Sequence, residues 1–165
     1  MITQQELKEL LHYNPETGIF TRKTKVNRNK VIGSIAGTTD FHGYVAIAID
    51  GKKYKAHRLA WLYMYGKFPD NCIDHINNIT TDNRIVNLRD ATLSQNQCNK
   101  KINVNNSSGV KGVSWHKKMK KWRVRLYVNH KEANFGFFDD LELAQLVAEE
   151  ARVKYHKQYA NHGRK

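Results

Sequence analysis

The sequence is poor in several features that mark whole classes of protein. It has two cysteines, Cys72 and Cys98, which are too few for a four-thiolate zinc site. We expect both to be reduced and packed as small apolar side chains. No apolar run approaches the roughly 20 residues that a membrane-spanning helix needs. The N-terminal segment MITQQELKEL lacks the apolar core of a signal peptide, so we expect a cytoplasmic protein.

Acidic residues are also scarce. The chain has 28 Lys and Arg against 15 Asp and Glu, which gives a formal net charge of +13. Such a balance indicates a polyanionic partner, either nucleic acid or an acidic membrane surface. Membrane binding would need an amphipathic basic helix or a lipidation signal, and the sequence shows neither. A basic protein without a polyanionic partner stays an alternative, but the charge favours nucleic acid.

The N-terminal part of the chain reads as short helices and hairpins. Residues 3–12 predict a helix with a capping box at its start. Residues 22–30 carry five Lys and Arg and predict an exposed basic loop. Residues 44–56 have the pattern of a hairpin with an Asp-Gly turn. Residues 57–65 predict a helix that ends at Gly66.

Residues 72–99, with the sequence CIDHINNITTDNRIVNLRDATLSQNQCN, predict a strand, a loop, a second strand and a helix. The first strand covers 73–76 and the second covers 87–91. We expect the helix to begin at Ser94, because Gln97 lies three residues later as a capping-box partner. The whole unit takes fewer than about 30 residues, which is short enough to bring polar side chains of its strands and helix together.

This segment carries the residue types needed to hydrolyse a phosphodiester. Asp74 on the strand and Asn96 on the helix offer oxygen ligands of the kind that Mg²⁺ or Mn²⁺ prefers. His75 lies next to Asp74 and can accept the proton of an attacking water. Asn87 on the facing strand is the candidate to hold the second nitrogen of that imidazole. The sequence therefore predicts a site with one divalent ion and a histidine base.

The Asp74-His75 pair, Asn87 and Asn96 resemble the pattern of the HNH (ββα-metal) nucleases, in particular phage and intron-encoded homing endonucleases. The preceding segment HRLAWLYMYGKFP at 57–69 resembles the lead-in of that subfamily. The resemblance implies that His75 is the general base, that Asn87 fixes it, and that Asp74 and Asn96 bind the metal. It also implies DNA cutting that leaves 5′-phosphate and 3′-hydroxyl ends. Asparagine in place of the more usual histidine as last ligand favours Mg²⁺ or Mn²⁺ over Zn²⁺.

A second module follows a polar linker at 103–108. Residues 110–115, 121–128 and 131–137 predict three strands, with Asn129-His130 as a tight connection between the second and the third. Asp139 or Asp140 caps a helix that reaches to about Tyr155. Residues 107–138 hold eight Lys and Arg and one Glu, so we expect a basic sheet face that enters a major groove.

This module resembles the AP2 DNA-binding domain. The matching segments are Gly109-Val110-Lys111-Gly112-Val113, Trp115, Lys121-Trp122, Phe135 to Asp139, and the following helix. The resemblance implies that the side chains on the DNA side are Lys111, Ser114, His116, Lys118, Arg123, Arg125, Tyr127 and Asn134. Ser114, His116 and Asn134 depart from plant members, so the bound sequence does not carry over. We expect Trp115 in the core rather than stacked at the sheet edge.

Together these patterns predict an α+β chain with two modules. Residues 1–106 form an HNH nuclease domain, in which 1–56 support a core at 57–103, and residues 107–165 form the AP2-like domain. We expect a monomer that acts on double-stranded DNA in a bacterial host cell, with no membrane partner and no small-molecule cofactor. Two alternatives stay open: a non-catalytic AP2-type regulator with a relic HNH domain, and a basic RNA-binding protein.

Overall fold

The computed structural model describes residues 1–28, 31–128 and 131–163. They form a mixed α/β fold with small antiparallel sheets, and the chain divides into two compact units, Met1–Ala91 and Thr92–Lys165. The boundary predicted after residue 106 separates two functional domains. A division into compact units does not test it, so it stays a prediction. The connection predicted at Asn129-His130 and the end of the basic loop at 29–30 lie outside the described residues.

The first unit joins three small sheets to two helices within its described ranges. Its sheets pair β1 with β2, β3 with β4 and β5, and β6 with β7. The elements are α1 (Gln4–Leu10), β1 (Leu11–Asn14), β2 (Ile19–Arg22), β3 (Thr38–Thr39), β4 (Val45–Ile49), β5 (Lys52–Lys55), α2 (Ala56–Tyr65), β6 (Cys72–His75) and β7 (Leu88–Ala91).

Local sequence signals explain the ends of these elements. The predicted capping box is confirmed: the Thr3 side chain accepts from the Glu6 amide, and the Glu6 carboxylate accepts from the Thr3 amide. The predicted hairpin turns at Asp50-Gly51 with φ of 47° and 76°. Two consecutive positive φ angles match the twist of the strands on either side. Gly66 ends α2 in the left-handed conformation, with φ of 78°.

One apolar core holds the first unit together. Helix α2 contributes Leu59, Ala60 and Leu62, which are almost fully buried. Ile73 of β6 and Leu88 of β7 belong to the same cluster. The β6–β7 hairpin is therefore anchored through apolar contacts, and its polar residues are held in place by that packing.

The second unit begins with a short helix and continues with a sheet and a long helix. Its elements are α3 (Leu93–Asn99), β8 (Val113–His116), β9 (Lys121–Val128), β10 (Lys131–Phe138) and α4 (Leu141–His156). The start predicted for α3 at Ser94 is wrong. Thr92 is the N-cap and Gln95 its partner, because they offer the same capping-box spacing two residues earlier.

The predicted three strands and helix are present, with strand order β10-β9-β8. Val113 and Val124 of the sheet pack on Ala144 and Ala148 of α4, and all four are buried. Small alanines on the helix let it lie close to the sheet. Placing Trp115 in the core was wrong: it is 44% exposed and stacks edge-on against Trp122 at 5.0 Å between ring centroids.

Within residues 1–28, 31–128 and 131–163, no helix is both long and apolar enough to cross a membrane. Cys72 and Cys98 are both in the thiol form and only half-buried. The Cys72 thiol donates to the carbonyl of Ala91 at 2.8 Å. Both cysteines are less buried than the pattern suggested, and their reduced state stays a prediction.

Candidate functional site

Asp74 and His75 lie at the end of β6 and are 3% and 5% exposed. The facing strand places Arg89 directly opposite Asp74. The Arg89 guanidinium contacts Asp74 Oδ2 through Nη2 at 2.6 Å and through Nε at 2.7 Å. In the structure it pairs with Asp74, which gives this buried carboxylate an opposite charge.

His75 is held through one ring nitrogen. Its Nε2 lies 3.3 Å from Asn83 Oδ1, while Asn83 Nδ2 donates to the Thr81 carbonyl. Because a carbonyl oxygen only accepts, this contact assigns the proton of the neutral ring to Nε2 and leaves Nδ1 as its basic nitrogen. Burial lowers the pKa of His75 below its ordinary value of 6.5, and the Asn83 contact and nearby acids oppose that shift. The imidazole is therefore neutral near pH 7 and able to take up a proton.

Asn83 is itself fixed by its backbone. The Tyr13 hydroxyl donates to the Asn83 carbonyl at 2.7 Å, and both residues are buried. Gly18 has φ of 73°, and a Cβ there would lie 2.5 Å from the Arg84 amide nitrogen and 2.6 Å from the Asn83 carbonyl carbon. Glycine at position 18 thus lets the backbone of Asn83 approach the β1–β2 hairpin. The sequence pattern did not point to the contact between Asn83 and His75.

Asn87 holds the loop between β6 and β7. Its Oδ1 accepts from the Asn77 amide at 3.0 Å, and its Nδ2 donates to the Asp82 carbonyl at 2.8 Å. Sequence reasoning expected Asn87 to hold the second nitrogen of His75. In the structure, Asn83 contacts Nε2 of His75, whereas Asn87 contacts the backbone of the loop that carries Asn83. The role predicted for Asn87 stays a prediction. Its contacts suit a role in which it positions the loop and so acts on His75 indirectly.

The loop is closed by ionic contacts as well. Arg84 forms a bidentate pair with Asp82 at 2.8 and 2.6 Å. Asn77 Nδ2 also donates to Asp82 at 2.6 Å. The contact with Arg84 is the main reason that the pKa of Asp82 is lowered to about 2.

A second histidine lies against His75 and was not singled out from the sequence. His57, in the first turn of α2, is 8% exposed, and its ring centroid lies 5.1 Å from that of His75. The Tyr44 ring contacts both, at 5.3 Å and 6.0 Å. Burial, with a smaller contribution from His75, lowers the pKa of His57 to about 3. The sequence signal that could have pointed to His57 is its position on the apolar side of the predicted helix.

Asn96 lies on α3 in the second unit, and its backbone amide donates to the N-cap carbonyl of Thr92 at 2.9 Å. Across the described ranges, no three His, Cys, Asp or Glu side chains form a group that could hold a metal ion. The predicted ligands are one carboxylate, Asp74, and one amide, Asn96. Each offers an oxygen of the kind that Mg²⁺ accepts, and their joint role as ligands stays a prediction.

The sheet of the second unit gathers most of the residues predicted to face DNA. Register pairs Ser114 with Arg123, Asn134 with Arg125, and Glu132 with Tyr127. Directly paired residues point to the same side of a sheet. Glu132 forms ion pairs with both Arg123 and Arg125, so this face is less purely cationic than the composition suggested.

Three other predicted contacts lie in different settings. Lys118 is exposed in the β8–β9 turn, and His116 Nδ1 accepts from the Met119 amide at 3.2 Å. Lys111 is partly buried, and its ammonium donates to the carbonyls of Cys98 and Lys100. Burial lowers the pKa of Lys111 to about 8. A DNA contact by Lys111 would require breaking these hydrogen bonds, so its predicted role lacks support from the geometry.

Comparison with known proteins places the site within a family. Residues 54–98 match the family model described as HNH endonuclease, and this range includes α2, β6, β7 and most of α3. The chain is 34% identical to Protein 3.8 of Escherichia phage T7 over 111 residues, which cover 65% of this chain and 91% of the phage protein. No solved structure matches the chain significantly.

Proposed function

Since the chain belongs to a phage-type family with an HNH endonuclease domain, we propose that it is a metal-dependent DNA endonuclease with His75 as its general base. The observation that carries the proposal is a buried, neutral imidazole next to the Asp74 carboxylate, with one nitrogen held by Asn83, inside the matched segment. A general base needs a proton-accepting nitrogen and a fixed orientation, and His75 has both.

The chain's own residues divide the work in this proposal. Asn83 keeps the proton of the imidazole on Nε2, so Nδ1 takes the proton of the attacking water. Asn87 acts through the loop that carries Asn83, by holding the Asn77 amide and the Asp82 carbonyl. The apolar packing around β6 keeps bulk water from surrounding the imidazole. Positioning of this kind is a large part of what catalysis of a hydrolysis requires.

Asp74 and Asn96 would hold one Mg²⁺ or Mn²⁺. When bound, such an ion stabilises the negative charge that develops on the leaving oxygen of the phosphodiester. The ion pair with Arg89 fixes the orientation of the Asp74 carboxylate. That arrangement supports Asp74 as a ligand from a rigid strand, and the amide of Asn96 favours a hard cation over Zn²⁺.

The second unit would bind double-stranded DNA through its sheet, as an AP2-like domain. Arg125 and Tyr127 are exposed on β9, and Arg123 and Ser114 lie on the same side. Arginine on a sheet face can reach both phosphates and base edges in a major groove. We propose that Ser114, His116, Lys118, Asn134 and these β9 residues aim the nuclease, in the manner of a homing endonuclease.

A single centre of this kind acts on one strand at a time. We therefore propose that the protein works as a monomer and nicks DNA, or cuts both strands in sequence. Incubating supercoiled plasmid with the protein and Mg²⁺ tests the proposal, because a nick converts the supercoiled form to the open circle. Cutting should require the metal, and it should be lost in His75→Gln.

His12→Gln is the matched control, since His12 is an exposed histidine on β1 of the same unit. It should cut like the wild type. Circular dichroism of His75→Gln checks that the buried substitution still folds. DNA binding by the wild-type protein without any metal-dependent cutting would instead favour the non-catalytic regulator.

A further inference from the structure

The connection between β3 and β4 ends in an aromatic side chain that contacts almost nothing. Phe41 is 99% exposed, more than any other aromatic side chain in the described ranges. Its one recorded ring contact is with the adjacent His42, at 5.5 Å between centroids. A phenylalanine held in water gains no stabilisation from burial within the chain, so its ring can gain it by contact with a partner.

Hydrogen bonds hold the backbone of the turn that presents Phe41. Asp40 Oδ1 accepts from the amides of His42 at 2.9 Å and Tyr44 at 3.1 Å. The Asp40 carbonyl accepts from the Gly43 amide at 2.9 Å, and the carboxylate also pairs with Lys55. A backbone held in this way has less conformational entropy to lose when the ring meets a partner.

The same turn is attached to the candidate active site. The Thr80 hydroxyl, in the loop between β6 and β7, donates to the Gly43 carbonyl at 2.6 Å. The Tyr44 ring lies against both His57 and His75. Phe41 is therefore fixed only a few residues from side chains that touch the general base.

Beside Phe41, a cleft of about 630 Å³ runs over the open face of the β3–β4–β5 sheet. Arg22, Lys53 and Lys55 line it together with Asp40, which pairs with Lys55, and the lining includes the small side chains Ala46 and Ala48. Arg22 is 7% exposed, and among the described residues its Nε has no hydrogen-bond partner. A lining with three cations against one carboxylate, and with small side chains, suits the approach of a phosphate backbone.

We propose that Phe41 is a wedge that inserts between neighbouring base pairs of the DNA next to the bond that is cut, while the backbone lies in this cleft. The proposal rests on the proposed endonuclease function. Apolar side chains that enter a base step kink the duplex and change the width of its groove. A kink at this place would bring a phosphate towards His75, which is 5% exposed.

A topoisomer experiment tests the wedge without any cutting. Relaxed plasmid is incubated with the protein in EDTA and a topoisomerase that needs no metal, and the linking number is then read on a gel. A side chain inserted in the base stack unwinds DNA, so the wild-type protein should lower the linking number. Phe41→Ala should not, and Phe41→Leu, which keeps an apolar wedge, should restore most of the effect.

Ile32→Ala is the matched control, because Ile32 is another apolar side chain of the first unit and is 68% exposed. It should behave like the wild type. Phe41→Ala should also weaken duplex binding about 10-fold, as expected for the loss of one aromatic stacking contact. With Mg²⁺, the same loss should raise the KM for cutting.

An unchanged linking number with the wild-type protein, or an equal shift with Phe41→Ala, would overturn the wedge. So would a dimer in solution that Phe41→Ala dissociates, since the ring would then be covered by a second copy. If the wild-type protein shifts the linking number but never cuts with Mg²⁺, insertion of Phe41 into DNA stands, while the endonuclease and the place of the wedge beside a cut bond fail. The two proposals can therefore fail separately.

Discussion

The candidate functional side chains of the two compact units differ in burial. In the first, Asp74, His75 and Asn83 are all at most 5% exposed and are held by specific partners, whereas Arg125 and Tyr127 of the second lie open on a strand. Burying polar groups is costly unless each has a partner, so a buried set is rigid by construction. A rigid set of side chains suits a chemical reaction, whereas exposed side chains can adjust their conformation to a DNA groove.

One residue of the second unit shows that burial alone does not mark a catalytic group. Arg152 on α4 is fully buried, and its guanidinium donates to the Lys111 carbonyl. Burial lowers the pKa values of both Arg152 and Lys111. Neither residue lies in the segment that matches the nuclease family, and their contacts join α4 to the start of the sheet. They are best explained as structural groups.

The largest effect on stability should come from the buried ion pair of the first unit. Asp74→Asn leaves Arg89 without its carboxylate, and loss of one partner from a buried pair costs about 3–5 kcal/mol. Chemical denaturation of the first unit measures this change. The double variant Asp74→Asn with Arg89→Met should recover much of the loss. A change below about 1 kcal/mol would show that the pair behaves like a surface pair.

The next largest effect should be a dependence of stability on pH that comes from His57. Its pKa is about 3 in the folded chain against an ordinary value of 6.5, so the unfolded chain binds the proton more readily between these values. Stability therefore falls as the pH drops through this window, by about 3 kcal/mol from pH 7 to pH 4. Over the same pH range, the His57→Phe variant should lose about 3 kcal/mol less stability than the wild type. Parallel curves for the two proteins would contradict the shift.

A smaller effect should follow from filling the space at Gly18. Gly18→Ala drives a Cβ into the backbone of Asn83 and Arg84, at an expected cost of about 2 kcal/mol. Movement of Asn83 should also release His75, so we expect about a 10-fold slower rate of cutting. The control is Gly51→Ala, at a similar φ of 76° with nothing within 4 Å. Equal rates of cutting by Gly18→Ala and Gly51→Ala would show that the position of Asn83 does not affect the reaction.

The smallest effect on stability should come from the exposed sheet of the second unit. Glu132→Gln removes the partner of Arg123 and Arg125, and we expect less than about 1 kcal/mol because such pairs meet solvent. DNA binding should become several-fold tighter, since Glu132 competes with phosphate for both arginines. Titration of DNA with the wild type and with Glu132→Gln at two salt concentrations measures the change in affinity. Weaker binding would show that the ion pairs orient the arginines instead.

The regular elements were predictable because their signals are local. The Thr3-Glu6 box, the Asp50-Gly51 turn and the cap of α4 at Asp140 each depend on residues a few positions apart. The start of α3 was missed by two residues because Thr92 and Ser94 both offer the same capping pattern. Local rules give no means of ranking such equal candidates.

The long-range contacts of the site were not predictable in this way. The partner of His75 depends on a hairpin that is about 65 residues away in sequence, through Tyr13 and Gly18. Arg89 could be placed opposite Asp74 only once the register of β6 and β7 was known. The contact between His57 and His75 depends on how α2 packs on the β6–β7 hairpin. These contacts follow from tertiary packing, which the sequence pattern does not encode locally.

The most direct test of the account is whether an added base can replace His75. His75→Ala removes the imidazole and leaves a cavity next to Asp74, so cutting of plasmid with Mg²⁺ should fall by about 100-fold or more. Imidazole added to the solution should then restore part of the rate, more strongly at a pH where it is neutral. His12→Ala should show neither the loss nor the rescue. Cutting by His75→Ala at the wild-type rate without imidazole would contradict the assignment of His75 as the base.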